Sequence, residues 1–183
     1  MTLDQVVSQL AARVKRLERS RSAGDSRIPE LATDFDVEDA IFPPFAIATR
    51  TAAESIASGV AARISYNVVV AGENPGSNYD PVTNFRYTAP VAGQYLCSVS
   101  CEMLLTLTTE VLIMSIYANG AEVRRGTRAL GNASGATSAV CTGLLRLGRG
   151  DYVEGVVTHT GPNPTNTTTT VGANMFQIIL VGL

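Results

Sequence analysis

The stretch from residue 67 to residue 95 constrains the fold most, because turn-forming and strand-forming residues alternate closely within it. Residues 68–70 are all valine, and β-branched side chains fit the pleated, packed surface of a sheet. Residues 72–78 then concentrate Gly, Asn and Pro, which favour tight turns. Apolar and polar residues alternate again over residues 85–88. The pattern predicts short strands joined by tight turns.

The chain beyond this stretch also has the pattern of strands. A clean alternation predicts a strand with one buried face, formed by Tyr95, Cys97, Val99, Cys101 and Met103. Asn119-Gly120 favours a hairpin turn. Further strands are predicted within residues 111–118, 139–147, 152–160 and 175–181. Many short strands with frequent turn signals indicate an all-β sandwich or jelly roll over residues 45–183.

A set of eight residues carries a family resemblance through its order and spacing: Asn78, Tyr79, Asp80, Thr83, Phe85, Pro90, Gly93 and Tyr95. It resembles the signature of the complement C1q-like globular domain, a family of tumour-necrosis-factor-like (TNF-like) jelly rolls. Residues 45–49 resemble the first strand of that family, residues 145–153 its Leu-x-Leu-x-x-Gly-Asp-x-Val hairpin, and residues 175–181 its closing strand. The resemblance implies a C1q/TNF-like jelly-roll head over residues 45–183 that assembles into trimers.

The first 21 residues contain the clearest helical pattern. Apolar residues step by four and three along the seam Leu3, Val7, Leu10, Val14 and Leu17. This heptad spacing predicts a coiled-coil stalk roughly 28 Å long. Arg13 and Glu18 flank the last two seam positions and resemble the Arg-apolar-x-x-apolar-Glu motif of short trimeric coiled coils, in which the two charges pair between helices. The alternative is an amphipathic helix that packs on its own domain.

Residues 22–44 have the composition of a linker, with flexible polar residues followed by prolines at positions 29, 43 and 44. Between these prolines lies an acidic, mildly apolar run that includes Glu30, Asp34, Asp36, Glu38 and Asp39. Such a run fits either an extended arm along a subunit surface or a segment that docks on another protein.

Charge and hydropathy argue against several classes of partner. The net charge of −2 gives no electrostatic basis for binding nucleic acid or an anionic membrane, and no stretch approaches the roughly 20 apolar residues of a membrane span. Asp4 and Gln5 stand where a signal peptide would be basic and apolar, so we expect synthesis in a cytoplasm. Cys97 and Cys101 would lie roughly 13 Å apart on one strand face, too far for a disulfide within the chain.

The sequence contains no recognisable catalytic constellation, so we expect a non-enzymatic protein without cofactor or metal. His159 fits a strand residue, and no Ser or Cys has the partners of a nucleophile. Asp80 is expected to cap backbone amides of a turn, and the three cysteines are expected to be buried apolar residues rather than zinc ligands. Arg149-Gly150-Asp151 is interpreted as a tight turn between strands rather than an integrin motif.

The polar loop over residues 161–170 is the best candidate for contact with a ligand. It offers short hydrogen-bonding side chains on a segment stiffened by Pro162 and Pro164: Asn163, Thr165, Asn166, Thr167 and Thr168. The alternative is a solvated connector between two strands.

A trimeric stalk, an acidic linker and a C1q-like head together suggest a structural or binding protein of a bacteriophage virion, made in the host cytoplasm. The stalk and linker would contact other virion proteins, and the head would meet a host-surface glycan, as in a minor tail or fibre protein. A capsid decoration or spike protein and a secreted C1q-like recognition lectin are the alternatives.

Overall fold

The computed structural model describes residues 43–132, 135–170 and 172–183. The predicted stalk over residues 1–21 and the linker up to residue 42 lie outside the described residues. The strands are β1 (Phe45–Thr49), β2 (Ser55–Ile56), β3 (Ala62–Arg63), β4 (Val68–Val69), β5 (Tyr79–Asp80), β6 (Arg86–Thr88), β7 (Gly93–Met103), β8 (Val111–Ala118), β9 (Ala121–Leu130), β10 (Thr137–Leu147), β11 (Tyr152–Thr160), β12 (Thr165–Asn166) and β13 (Met175–Gly182). A short 3₁₀ helix spans Pro75–Ser77.

Two antiparallel sheets form the molecule over the described residues. The first sheet has the strand order β10-β7-β13-β1-β4, and the second has the order β5-β6-β11-β8-β9, with β3 beside β11. A separate two-stranded ladder joins β12 to β2. The chain crosses between the sheets from β7 to β8, from β9 to β10 and from β10 to β11. Such crossings between two packed sheets are those of a jelly roll, which confirms the all-β prediction.

The core lies between the two sheets and follows the predicted alternation of β7. All five residues of its predicted inner face are fully buried, and the residues between them are not: Tyr95, Cys97, Val99, Cys101 and Met103. The same core cluster contains inward residues of the second sheet, among them Leu112, Met114 and Ile116. The three cysteines are free and buried, and burial raises the pKa of the Cys97 and Cys101 thiols. They therefore serve as small apolar core residues, as predicted.

The sandwich has two distinct ends, which are called proximal and distal below. At the proximal end Gly93 pairs with Leu147, and the Leu180 amide donates a 2.9 Å hydrogen bond to the Pro44 carbonyl, so Pro44 leads into β1 here. At the distal end Met103 pairs with Thr137. The distal loops comprise four segments: residues 51–61; residues 104–110; residues 131–132 and 135–136; and residues 161–170 and 172–174.

Two turns of the head confirm predictions about acidic residues. Asp80 accepts hydrogen bonds from the amides of residues 82–84, and the bonds from Thr83 and Val82 contribute most to lowering its pKa to about 2. Asp151 accepts hydrogen bonds from the Gly148 amide at 2.7 Å and from Asn119 Nδ2 at 2.9 Å. Both carboxylates hold turns together.

Candidate functional site

The distal loops are joined into one surface by hydrogen bonds between neighbouring loops. The Leu104 amide donates to the Asn166 carbonyl at 3.1 Å, and the Gly131 amide donates to the Glu110 carbonyl at 2.8 Å. Ser58 Oγ donates to the Gly161 carbonyl at 2.5 Å. The four loops therefore support one another.

The predicted ligand loop divides into a buried part and an exposed part. Thr167 and Thr168 are buried; Thr167 Oγ1 accepts a 3.0 Å hydrogen bond from the Glu54 amide, and Thr168 Oγ1 donates to Glu102 Oε1 at 2.7 Å. Their inclusion among the ligand residues is therefore corrected, because both hydroxyl groups are used inside the chain. Asn163 and Asn166 are exposed and Thr165 is half-buried, so these three remain available at the surface.

Glu102 fixes the distal end of β7 to the ligand loop. Besides Thr168 it accepts a 3.0 Å hydrogen bond from Ser138 Oγ at the start of β10. Hydrogen bonds lower the pKa of its carboxyl group, first from Thr168 and then from Thr170 and Ser138. The buried Asn174 side chain completes the arrangement, because it accepts from the Glu102 amide and donates to the Thr168 carbonyl, each at 2.9 Å. This carboxylate thus ties the ligand loop and strand β10 to strand β7.

Glu54 anchors the loop over residues 51–61 in a similar way. Its carboxylate lies 2.9 Å from Arg50 Nη1 and accepts hydrogen bonds from the amide and hydroxyl of Ser65, at 3.2 and 2.9 Å. Arg50 is nearly buried and also donates to the Ser65 carbonyl at 2.6 Å. The ion pair and the two hydrogen bonds join the loop over residues 51–61 to residue 65.

Glu110 is a third carboxylate that points inward at the distal end. Its residue is only 4% exposed, and its Oε2 atom accepts a 2.9 Å hydrogen bond from the Leu107 amide. Gly161 lies against the same side chain, since a β-carbon there would come 2.4 Å from Glu110 Oε1. The three carboxylates of Glu54, Glu102 and Glu110 therefore hold the distal loops from beneath. Sequence patterns did not indicate them; the Glu102 carboxylate, for example, bonds to Thr168, which is 66 positions away.

The outward face of the first sheet is a second candidate surface. It carries five aliphatic residues that are between 38% and 53% exposed: Leu96, Val140, Leu144, Ile179 and Val181. Leu96 on β7 pairs with Leu144 on one side and Ile179 on the other, so these three form a continuous apolar row. An adjacent polar row contains Ser98 and Thr142, whose hydroxyl oxygens lie 2.8 Å apart. This outward face is called the apolar face below.

Strand β9 borders the apolar face and is itself unusually exposed, since none of its residues is buried. Arg124 links it to the first sheet by donating a 2.9 Å hydrogen bond to the Leu144 carbonyl. The Arg124 stem lies against Gly143, where a β-carbon would come 2.7 Å from Arg124 Cγ. The open edges of the two sheets therefore meet along β9 and β10.

Groups that could support chemistry are dispersed. No cluster of three or more His, Cys, Asp or Glu residues that could hold a metal ion occurs among the described residues. His159 is a buried residue of β11, as predicted, and its Nε2 atom lies 3.0 Å from the Ile56 carbonyl oxygen. Within the part of the chain that the structure covers, no helix is long and apolar enough to cross a membrane.

Comparison with known proteins finds similarity in structure but not in sequence. No protein-family model matches the chain, and no curated protein matches it. The chain is similar to the Eiger TNF of S. frugiperda (TM-score 0.57, 10% identity, covering 76% of this chain and 93% of that one). It is also similar to murine APRIL (TM-score 0.55, 10% identity, 76% and 99%) and to the globular domain of the zebrafish complement 1qA protein (TM-score 0.52, 12% identity, 75% and 97%).

The fold is a TNF/C1q-like jelly roll. Similarity at 10–12% identity shows the fold alone. In this jelly roll the candidate ligand loop lies at the end opposite the point where Pro44 leads into β1, and the apolar face runs along the side between the two ends.

Proposed function

We propose that the chain is a non-enzymatic binding protein that assembles as a homotrimer through the apolar face and presents its distal loops to a host-surface glycan. The apolar face is the observation that supports assembly most directly. Soluble monomers rarely expose a contiguous apolar patch on a regular sheet, and such patches mark interaction sites. The row of Leu144, Leu96 and Ile179 is continuous across three strands.

The second copy of this chain is the occupant that fits the apolar face best. The exposed edge strand β9 lies beside the face, and an edge of one copy can pack against the face of the next. An interface between two different patches of the same protein closes into a ring when the rotation between copies is right. The C1q resemblance and the Arg13–Glu18 motif both imply a ring of three.

The two ends of the head would have different roles, attachment at the proximal end and ligand contact at the distal end. Pro44 leads into β1 at the proximal end, so a stalk there would leave the distal loops farthest from the attachment point. Loops carried on a rigid scaffold are the usual sites of ligand contact. The inward carboxylates of Glu54, Glu102 and Glu110 supply that rigidity.

We further propose a bacteriophage virion as the setting, with the chain serving as a minor tail or fibre protein. The heptad seam, the acidic linker and the β-head support this order of stalk, connector and exposed head. The stalk and linker would bind other virion proteins.

The solution mass tests the proposal first. Light scattering during size exclusion should give a trimer for the full chain and for residues 44–183. A monomer for both would refute assembly through the apolar face.

Mass spectrometry of purified virions from a phage that encodes the chain should find it in tail fractions. Its presence in capsid fractions would favour a decoration protein, and its absence from virions would refute the virion setting.

A further inference from the structure

We infer that the distal surface binds an uncharged, hydroxyl-rich glycan and not an anionic ligand, an inference that rests on the proposed function and specifies its ligand class. It follows from where the charged side chains of the head lie. The four distal loops carry many exposed threonine, asparagine, serine and alanine residues. Among the described residues of these loops, no unpaired charged side chain lies at the surface.

Each acidic residue that reaches the distal end is turned toward the protein and engaged there. Glu54 forms an ion pair with Arg50. Glu102 accepts hydrogen bonds from the hydroxyl groups of Thr168 and Ser138, and Glu110 is buried. Arg50, the basic residue at the start of the first loop, is also nearly buried.

The proximal end has the opposite character. Charged residues lie at or beside its turns: Arg86, Glu122, Arg146, Arg149 and Asp151. On the distal half the nearest exposed charge is Arg128, which belongs to strand β9 and pairs in register with Ile113. The head is therefore not poor in charge as a whole, and its charged groups are kept away from the distal loops.

This distribution disfavours anionic ligands. Phosphate, sulfate and carboxylate groups are bound by arginine, lysine or clustered amide donors, which supply charge-assisted hydrogen bonds. The distal loops offer neutral hydroxyl and amide groups instead, notably Thr106, Thr108, Thr109, Asn163, Asn166 and Thr169. Such groups both donate and accept hydrogen bonds, as sugar hydroxyls do. Exposed Leu104 and Leu107 add aliphatic surface for the C–H faces of a sugar ring.

A protein partner is disfavoured for a related reason. Energetic centres of protein interfaces are enriched in tryptophan, tyrosine and arginine. The sequences of the four distal loops contain no aromatic residue, and their surface presents no exposed arginine among the described residues. A shallow neutral contact of this kind binds weakly at one site. Three copies in a trimer would raise the apparent affinity through multivalency, by about 10²–10⁴-fold where the sites can engage together.

The test uses the full-length protein on a glycan array that includes neutral bacterial polysaccharides and their phosphorylated, sulfated and sialylated counterparts. We expect binding to neutral glycans, with an affinity that changes less than about twofold between 50 and 500 mM NaCl, because no ion pair is formed. Preference for anionic glycans with a steep loss of affinity in salt would overturn this inference and leave the proposed function standing.

Two further outcomes separate this inference from the proposed function. Binding to no glycan on the array, by a protein shown to be trimeric, would overturn both the inference and the proposed glycan contact. Binding only to a host protein in a parallel array of surface proteins would overturn this inference and the proposed glycan contact, and would leave the proposed trimeric binding protein standing.

Matched variants locate the contact. The double variant Asn163→Ala/Asn166→Ala should lose at least tenfold in affinity, and Thr169→Ala several-fold. Thr88→Ala makes the same change as Thr169→Ala at an exposed residue of β6, which pairs with Tyr152 at the proximal end, and it should bind like the parent. Equal binding by all of these variants would place the contact elsewhere and overturn the assignment.

Discussion

The hydrogen bond from Thr168 to Glu102 offers the sharpest test of how the distal loops are held. Thr168→Val replaces the hydroxyl group with a methyl group of similar size, so shape is kept and the 2.7 Å contact to Glu102 Oε1 is lost. A hydrogen bond to a charged acceptor contributes about 1.5–3 kcal/mol. Because Ser138 and Thr170 still serve the carboxylate, we expect the low end, about 1.5 kcal/mol.

This loss should appear in thermal unfolding followed by circular dichroism. For a chain of this length about 1.5 kcal/mol corresponds to a decrease in melting temperature of roughly 3–6 °C. Protein concentration must be the same in all samples, because assembly adds to apparent stability. Thr169→Val is the matched control, since Thr169 is the exposed neighbour, and its melting temperature should match that of the parent.

The effect should also depend on pH with a definite sign. Hydrogen bonds lower the pKa of Glu102 in the folded protein below its ordinary value of 4.5. The charged carboxylate therefore stabilises the fold above that value, and the contribution is lost as pH falls through the folded pKa. The gap between parent and Thr168→Val should shrink between pH 7 and pH 3.

A double-mutant cycle isolates the pair itself. In a Glu102→Gln background the Thr168→Val change should cost less than about half of what it costs in the parent. Two results would refute the role assigned to this carboxylate. One is a difference in free energy of unfolding between parent and Thr168→Val below about 0.3 kcal/mol at pH 7. The other is a difference that neither pH 3 nor Glu102→Gln alters, since the two residues would then show no coupling.

Three other predictions follow from the sheet surfaces and the core. Leu96→Glu should convert trimers into monomers, as measured by light scattering, because it places a charge in the centre of the apolar face. Val82→Glu, at a residue that is 77% exposed outside this face, should leave the mass unchanged. A trimeric Leu96→Glu protein would count against the proposed interface. Arg124→Met should lower the melting temperature by roughly 2–4 °C through loss of the hydrogen bond to the Leu144 carbonyl. Arg128→Met on the same strand should leave the melting temperature unchanged, and equal melting temperatures for the two variants would contradict the role of Arg124. The three buried thiols should resist maleimide in the folded protein and react fully in denaturant, as judged by mass spectrometry, and rapid labelling of the native protein would show that the core is not closed.

The strands of the head were predictable because their signal is local. Alternation along β7 identifies its buried face, since successive side chains point to opposite sides of a strand. Turn chemistry placed Asp80 and Asp151 for the same reason, as each carboxylate binds amides within four residues or in the adjoining turn. The structure therefore agrees with the sequence where the relevant contacts are short-range.

The candidate site was predictable only in part, because its organisation depends on long-range contacts. Thr167 and Asn166 are both polar loop residues, and their sequence context is nearly the same. Thr167 faces inward because it forms a bridge with Met103 and bonds to Glu54, which is 113 positions away. Nothing in the local pattern distinguishes these two positions. The apolar face was visible in part, since Leu96 interrupts the polar side of β7.

The three inward carboxylates have a consequence for how this protein can change over time. They separate the residues that hold the distal loops from the residues that those loops display. Mutation at Asn163, Asn166 or Thr169 alters what the surface presents while the supports beneath stay intact. A lineage could therefore acquire new ligand preferences through a few exposed positions without first gaining stability elsewhere. The same positions are natural choices for randomised libraries in which new binding specificities are selected on a fixed frame.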